Sequence, residues 1–424
     1  MPEHVRKDPG EAGSRIARRV VVTGIGVVAP SGIGVDVLWD VLRSGESAIG
    51  PITRFDVSEY PVRVAAQVPD FRARQFMTAL KARTASRFCH LTFAASRLAV
   101  DDARVAQRQL DSARAGFFLG SSVGPAQVGE DASASFREHG PCGVHRTLPF
   151  TASPHSASAM AASELGIAGP IVTLSSECPA GLDAVVAGAR DIAAGHLDLA
   201  IVGGADAPLT PILFAGFARS GVLAEDTAQP GRARPFDRAR GGFVLGEAAA
   251  MLIIEERSRA VARGAAIYGE LLGFGTGRDR PTYVGDPNPT GRAFRLAATA
   301  ALAEAGIAPS AIDHVNAHAP GVVTTDLAEM RALHAVFGET HRPAVTSIKG
   351  ALGHPLAAAG VLQTVAALLA LRDGIVPPTA HCEELDPECA LDVVRGVPRV
   401  APQRHALVTA HGFGGNTTAA VIGR

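Results

Sequence analysis

The chain has 424 residues, 47% hydrophobic, 19% charged and only 5% aromatic, with 46 glycines and a formal net charge of −1. That length exceeds the usual size of one hydrophobic core and predicts two domains or two fused halves, packed with small side chains. The near-neutral charge, with no basic stripe, argues against a nucleic-acid or anionic-membrane partner, and no apolar run approaches the roughly 18 residues that a membrane-spanning helix needs.

Residues 1–18 are polar, carry charges of both signs and lack an apolar segment, so an N-terminal tail without a targeting signal is expected. A buried strand follows over 19–28, then a helix over 35–43 stopped by Gly45. Next come a helix over 91–105, a strand over 115–120, a Pro/Gly/His-rich loop over 139–154 and a small-residue helix over 156–165. A strand over 170–176, a helix over 179–194 and a strand over 197–203 complete the first half. In that helix Pro179 suits the first position, and Leu182, Val185, Val186 and Ala189 recur at helical spacing. Residues 205–245 read as irregular, and a connection of that length points to function. The second half gives strands over 266–275, 312–317, 344–348, 405–410 and 418–422, and helices over 291–305, 324–337 and 356–372. Alternating strands and helices predict mainly parallel sheets covered on both faces. The expected body is α/β, two related βαβαβ halves (19–256 and 257–424) in five α/β/α/β/α layers.

The chemistry-bearing residues fall at the joints of this pattern. Cys178 lies in Ile171-Val-Thr-Leu-Ser-Ser-Glu-Cys-Pro-Ala-Gly181, where a strand gives way to a helix. A thiol there meets unpaired N–H groups and the positive end of the helix dipole, which favour the thiolate. The layout then recurs with an imidazole: Pro170-Ile-Val-Thr173 leads to Cys178-Pro179, and Pro343-Ala-Val-Thr346 leads to His354-Pro355. Only three lysines, Lys7, Lys81 and Lys349, occur among 40 basic residues, and Lys349 stands five residues before His354. A compact ammonium there has a reach and charge that Arg cannot imitate. His318 ends the strand 312–317, at the strand end where sites in α/β proteins gather. Singly, a buried histidine or cysteine is more often a packing residue; Cys178, His318 and His354 together at strand ends and helix starts suggest a site. Gly412-Phe-Gly-Gly415 follows a strand and can bring backbone N–H groups close to a ligand.

Other signals are weak. Gly24-Ile-Gly-Val-Val-Ala29 mimics a dinucleotide fingerprint, but Pro30, Gly32 and Gly34 forbid the helix that must hold the pyrophosphate. His314 and His318, four apart on a strand, do not converge on a metal, so none is expected. The five cysteines (Cys89, Cys142, Cys178, Cys382, Cys389) form no C-x-x-C pair, which fits free thiols in the cytoplasm.

From about Arg19 to its end the chain resembles the β-ketoacyl synthases, condensing enzymes of the thiolase fold, and within them the elongating type of fatty-acid and type II polyketide systems. The likeness rests on Arg18-Arg-Val-Val-Val-Thr-Gly-Ile-Gly26, Cys178-Pro-Ala-Gly-Leu-Asp183, Val202-Gly-Gly-Ala-Asp206, Arg234-Pro-Phe-Asp237 and Gly242-Phe-Val-Leu-Gly-Glu247. It continues through Val315-Asn-Ala-His318, Ser347-Ile-Lys-Gly-Ala-Leu-Gly-His354 and Gly412-Phe-Gly-Gly415. Gly204-Ala-Asp-Ala-Pro-Leu-Thr-Pro211 looks most like the ketosynthase subunits of aromatic polyketide systems.

The resemblance implies that Cys178 accepts the acyl group, that His318 and His354 are the two active-site histidines, and that Lys349 and Glu329 form a supporting ion network. It implies that Phe413 is a gate residue whose N–H joins that of Cys178 in an oxyanion hole, with Gly414 beside it in the gate. It implies no bound cofactor: substrates arrive on the phosphopantetheine of an acyl carrier protein. The other expected partner is a second subunit, identical or of the chain-length-factor kind. The chain departs from the family at Ala319-Pro-Gly-Val322, where Gly-Thr-Ser-Thr hydroxyls usually hold the pantetheine arm. It departs again at Glu177, where a small residue is usual, at His411 in place of Phe, and at Asn416-Thr417 in place of Thr-Asn. The leading expectation is decarboxylative condensation of an acyl-Cys178 with malonyl carrier protein in secondary metabolism. The alternatives are an acyltransferase that does not elongate and a non-catalytic chain-length-factor-like partner.

Overall fold

The structure, a computed structural model, describes residues 18–225, 231–280 and 287–424; the expected tail lies almost wholly outside them. Strand Val20–Ala29 is buried along its whole length and runs antiparallel to Ala248–Glu256. That strand pairs antiparallel with Leu199–Asp206, and the sheet continues in parallel through Ala115–Gly120 to an edge at Ile171–Leu174. The second sheet starts at Gly269–Arg278 and passes through Asn416–Gly423, His405–His411, His314–Asn316 and Ala344–Thr346 to Asp392–Val393. Its first three strands are antiparallel neighbours and the rest are parallel. Where two separate sheets were expected, Val20–Val22 also bonds Gly269–Leu271, so a single ladder of twelve strands runs through both halves.

Five layers stack around this ladder. Helices Arg87–Ala103 and Ser156–Leu165 cover the outer face of the first sheet, and Arg292–Ala305 and Val323–Phe337 cover that of the second. Between the sheets lie Ala180–Ala193 and Ala358–Asp373, packed on each other and on both sheets. The second of these reads Ala-Ala-Gly-Val-Leu-Gln-Thr-Val-Ala-Ala-Leu-Leu-Ala-Leu-Arg-Asp, and Ala358–Leu371 is buried without a break. A helix apolar on every side has no solvent face and belongs in the middle of a body. The second central helix bears one long polar side chain in that stretch, Gln363, whose amide is used at the site.

The region 205–245 departs from the expectation of irregular chain. It holds a helix, Pro211–Arg219, whose cap comes from far away: Glu130 accepts from the N–H groups of Ile212 (3.2 Å) and Leu213 (3.1 Å) and from the Thr210 hydroxyl. Glu130 belongs to a further helix, Ala126–His139, which the pattern did not announce because none of its residues is fully buried. The loop 139–154 likewise contains two short helical turns, Gly140–Gly143 and Leu148–Thr151. The first central helix begins at Ala180, with Pro179 as its cap rather than its first residue.

Because the central layer is closed on both sides, it has little freedom to collapse around a cavity. Leu362→Ala is expected to destabilise the protein by about 2–5 kcal/mol in chemical denaturation; a loss near zero would contradict the sandwiched placement of that helix.

Candidate active site

Both central helices start at the same end of the body, and the reactive residues sit at those starts. Cys178 lies between the edge strand Ile171–Leu174 and Ala180–Ala193, buried at 5% exposure. His354 precedes Ala358–Asp373, after a short extra helix, Lys349–Leu352, that has no counterpart in the first half. This insertion places Lys349 in the interior. Each junction also holds a non-glycine residue in the left-handed region: Glu177 at φ 65°, just before the cysteine, and Leu356 at φ 46°, two residues after the histidine. Such residues cost on the order of 1–3 kcal/mol each and gather at functional sites.

Cys178, His318 and His354 line one cavity, joined by Val222, Phe243, Pro320, Val322, Thr325, His411, Gly412 and Phe413. The His318 and His354 rings meet edge to face with centroids 5.4 Å apart, and Phe243 stands edge-on to His354 at 5.1 Å. The cavity volume is about 30 Å³, room for about one water and too little for an acyl chain. Gly412 closes it from the side. A Cβ there would lie 2.7 Å from Pro179 Cδ and 2.8 Å from Glu177 Cβ, so only glycine allows the turn to approach the cysteine. Neither the Cys178 N–H nor the Phe413 N–H donates to another residue.

The backbone of His318 is gripped from two sides. Glu329, fully buried, accepts from the N–H groups of His318 (2.9 Å) and Ala319 (2.7 Å) and from the Thr409 hydroxyl. Lys349, at 0% exposure, donates Nζ to the His318 carbonyl and to Gln363 Oε1 (3.1 Å). The Gln363 amide nitrogen donates onward to the carbonyls of Asn316, Ala317 and Thr409 at 2.8–3.0 Å. Lys349 and Glu329 therefore make no direct ion pair; the expected ion network runs through the peptide groups of His318. Burial lowers the Lys349 ammonium to about 8, opposed by the nearby Glu329 charge.

Electrostatics correct one expectation. The helix start favours a thiolate, but burial, then the Glu177 charge, push the Cys178 thiol far above its ordinary value, opposed in part by Lys349. Burial, then the Lys349 charge, hold His318 and His354 well below the usual imidazole range. The resting site is a neutral thiol facing neutral imidazoles.

Of the remaining expected residues, Pro320 and Val322 line the cavity, whereas Ala319 and Gly321 do not. Gly321 sits at φ 94°, and a Cβ there would come within 2.9 Å of the Gly242 carbonyl. A serine at 321 has no room in this loop. Gly414, at φ 81°, shapes the turn without lining the cavity. Sequence reasoning missed Thr325, Gln363 and Thr409, and noticed His411 only as a departure. Its place directly after the strand 405–410 and before Gly412 was the available signal. Among the described residues no group of three or more His, Cys, Asp or Glu could hold a metal ion, and no helix is long and apolar enough to cross a membrane.

Family models for the β-ketoacyl synthase N-terminal domain and C-terminal domain match residues 17–260 and 268–383. The chain belongs to the β-ketoacyl synthase family. It is 37% identical over 404 residues to the 3-oxoacyl-[acyl-carrier-protein] synthase 2 of Synechocystis sp., covering 94% of this chain and 96% of that protein. It is 36% identical over 417 residues to the tetracenomycin polyketide synthase ketoacyl synthase alpha subunit of Streptomyces glaucescens, covering 96% and 97%. Among solved structures, the ishigamide ketosynthase/chain length factor superposes with a TM-score of 0.89 at 34% identity, over 96% of this chain and 99% of that one. A type II polyketide synthase acyl-carrier protein in complex with its ketosynthase bound to the hexaketide gives 0.88 at 27% identity, over 96% and 99%.

The Glu177 charge helps keep the Cys178 thiol protonated. Glu177→Gln lowers the thiol's pKa by removing that charge, so at fixed pH near 7 more thiolate is present and iodoacetamide alkylates Cys178 faster. An unchanged rate-versus-pH curve would remove Glu177 from the electrostatics of the site.

Proposed function

We propose that this ketosynthase elongates acyl chains by decarboxylative condensation, with acyl and malonyl groups delivered on the phosphopantetheine arm of an acyl carrier protein. The observation that carries the reading is one small cavity lined by the buried Cys178 thiol and the neutral imidazoles of His318 and His354, beside backbone N–H groups of Cys178 and Phe413 that donate to no other residue. In the first step the Cys178 sulfur attacks the acyl thioester carbonyl, its proton passes to the departing pantetheine sulfur, and an acyl-Cys178 remains. The N–H groups of Cys178 and Phe413 hold the oxyanion of each tetrahedral intermediate. Malonyl thioester then loses CO₂, and the electron pair of the broken C–C bond forms an enolate. The N–H groups of His318 and His354 donate to its oxygen. The enolate carbon attacks the acyl carbonyl, the Cys178 C–S bond breaks, the departing thiolate takes a proton from solvent to restore the thiol, and the product leaves as a β-ketoacyl carrier protein.

Two details favour imidazoles that present N–H to the cavity. Nδ1 of His318 and of His354 is buried without a partner. A carbonyl-like lone pair left unpaired there costs less than a buried N–H with no acceptor, so the proton belongs on Nε2. Around Cys178 the neighbouring core is apolar, with Ile52, Val62, Leu209, Phe214 and Leu223, which suits an acyl chain of mainly hydrocarbon character. Entry requires Phe413 to swing; its ring is half-buried and 6.4 Å from Phe217. Ile171–Leu174, paired on one side only and half-exposed in the single chain, suits pairing with a second subunit, either a copy of this chain or a chain-length-factor-like partner. The free thiols among the described residues accord with a cytoplasmic enzyme. Retention of Cys178 with both histidines disfavours a silent partner subunit, and two N–H donors for an enolate disfavour a simple acyltransferase.

Mixing with acyl carrier protein is expected to add one acyl mass to the protein, mapped to Cys178 and lost in Cys178→Ala. An adduct that persists in the variant, or maps to another cysteine, would overturn the assignment. Lys349→Arg is expected to lose about 1–3 kcal/mol of stability, because the larger planar guanidinium overfills a sealed site. It should also slow condensation while keeping the charge; wild-type turnover in that variant would show that charge alone suffices.

A further inference from the structure

The two departures in the gate turn, His411 and Asn416-Thr417, are one feature. His411 ends strand His405–His411 and stands directly opposite Thr417 on the neighbouring strand. Its Nδ1 lies 2.7 Å from Thr417 Oγ1. The imidazole stacks on Phe294 with centroids 4.7 Å apart, stands edge-on to His318 at 6.0 Å, and is 6% exposed. The cavity therefore has three imidazoles, not two.

Bond counting fixes which nitrogen carries the proton. Thr417 is 1% exposed and its hydroxyl has no other partner. If Nδ1–H donated to Thr417, the hydroxyl proton would be buried without an acceptor. The hydroxyl therefore donates to Nδ1, which places the ring proton on Nε2. That N–H has no protein partner, and the ring lines the Cys178 cavity. Burial lowers His411 to about 4, so the donor is uncharged at neutral pH.

The wall beside it offers further hydrogen-bond donors. The 15-residue helix Val323–Phe337 opens onto the cavity through its cap, Val322, and its third residue, Thr325. The cap residue, Val322, makes no side-chain hydrogen bond, and the first-turn Asp326 turns its carboxylate away to the N–H groups of Phe236 and Gly321. The Thr325 hydroxyl makes no hydrogen bond within the described residues, and Thr325 is 6% exposed. An uncapped helix N-terminus, a free hydroxyl and a neutral imidazole N–H facing one cavity match a small carboxylate.

We infer that His411, locked by Thr417, and Thr325 at the open helix end form the subsite for the malonyl carboxylate. This rests on the condensing reading above. The carboxylate lies here while the thioester oxygen faces His318 and His354, which fixes the scissile bond relative to the thioester plane. A neutral donor suits a group that must leave as CO₂, since an imidazolium would hold the carboxylate in place. These contacts act on the bound substrate, so their loss should appear mainly in KM.

The test compares wild type with His411→Phe, His411→Gln, Thr417→Val and Thr417→Ser, using acyl carrier protein and malonyl carrier protein. Two readouts are followed: Cys178 acylation by intact mass, and CO₂ release against malonyl carrier concentration. His411→Phe keeps the stacked ring and should raise the malonyl KM about ten- to hundredfold, the range of a lost hydrogen bond to a charged group, with acylation unchanged. His411→Gln, which keeps a donor, should recover part of that loss. Thr417→Val should give a smaller rise and Thr417→Ser none. An unchanged malonyl KM in His411→Phe would overturn the inference, as would equal loss of acylation and CO₂ release in a variant that melts like wild type. If wild type itself acylates but releases no CO₂, the condensing reading fails, and the subsite with it.

Discussion

The site depends on the grip that two buried, oppositely charged side chains exert on one peptide unit. Lys349 takes the His318 carbonyl, and Glu329 takes the N–H groups of His318 and Ala319. Neither side chain reaches the cavity. Their charges are separated by the backbone they hold, and that geometry explains why the pair survives without solvent. Each partner satisfies the other's field, and the donors and acceptors are used by main chain that would otherwise be orphaned. Gln363 extends the grip to three further carbonyls and ties the histidine strand to the second central helix. The imidazole is thus aimed by an element that is buried on every side.

The same architecture accounts for where the chemistry sits. Two sheets that share hydrogen bonds along Val20–Val22 cannot slide apart, and the central helices between them start at one end of the body. A thiol at one start and an imidazole at the other then meet without any long loop having to order. The sealed centre also sets the electrostatics. Burial raises the thiol and lowers the imidazoles, so the reacting thiol and imidazoles rest uncharged until substrate enters. The oxyanion donors and the dipole of Ala180–Ala193 are in place beforehand, which is the condition under which fixed dipoles stabilise a transition state.

Much of this was legible in the sequence. The helix over 356–372 was legible in its mostly apolar run, broken only by Gln363 and Thr364, and the repeated strand-to-helix junctions announce where Cys178 and His354 stand. The scarcity of lysine drew attention to Lys349. The rest depends on contacts between residues distant in the chain. Pro211–Arg219 was hidden because its cap, Glu130, comes from another helix. The grip on His318 was hidden because a backbone carbonyl carries no sequence signature. The protonation state of Cys178 was misjudged because the helix start is visible in sequence while the depth of burial is not. His411 and Thr417 looked like two unrelated departures until the strand pairing set them face to face.

The account rests on neutral imidazoles at His318 and His354, and their protonation can be read directly. ¹⁵N NMR of histidine-labelled protein, assigned with His318→Gln and His354→Gln, would follow both rings between pH 5 and 9, a span around the unperturbed histidine value of about 6.5. The account predicts neutral-ring shifts for both residues across that range, with the proton on Nε2. An imidazolium signal from either residue at neutral pH would contradict it.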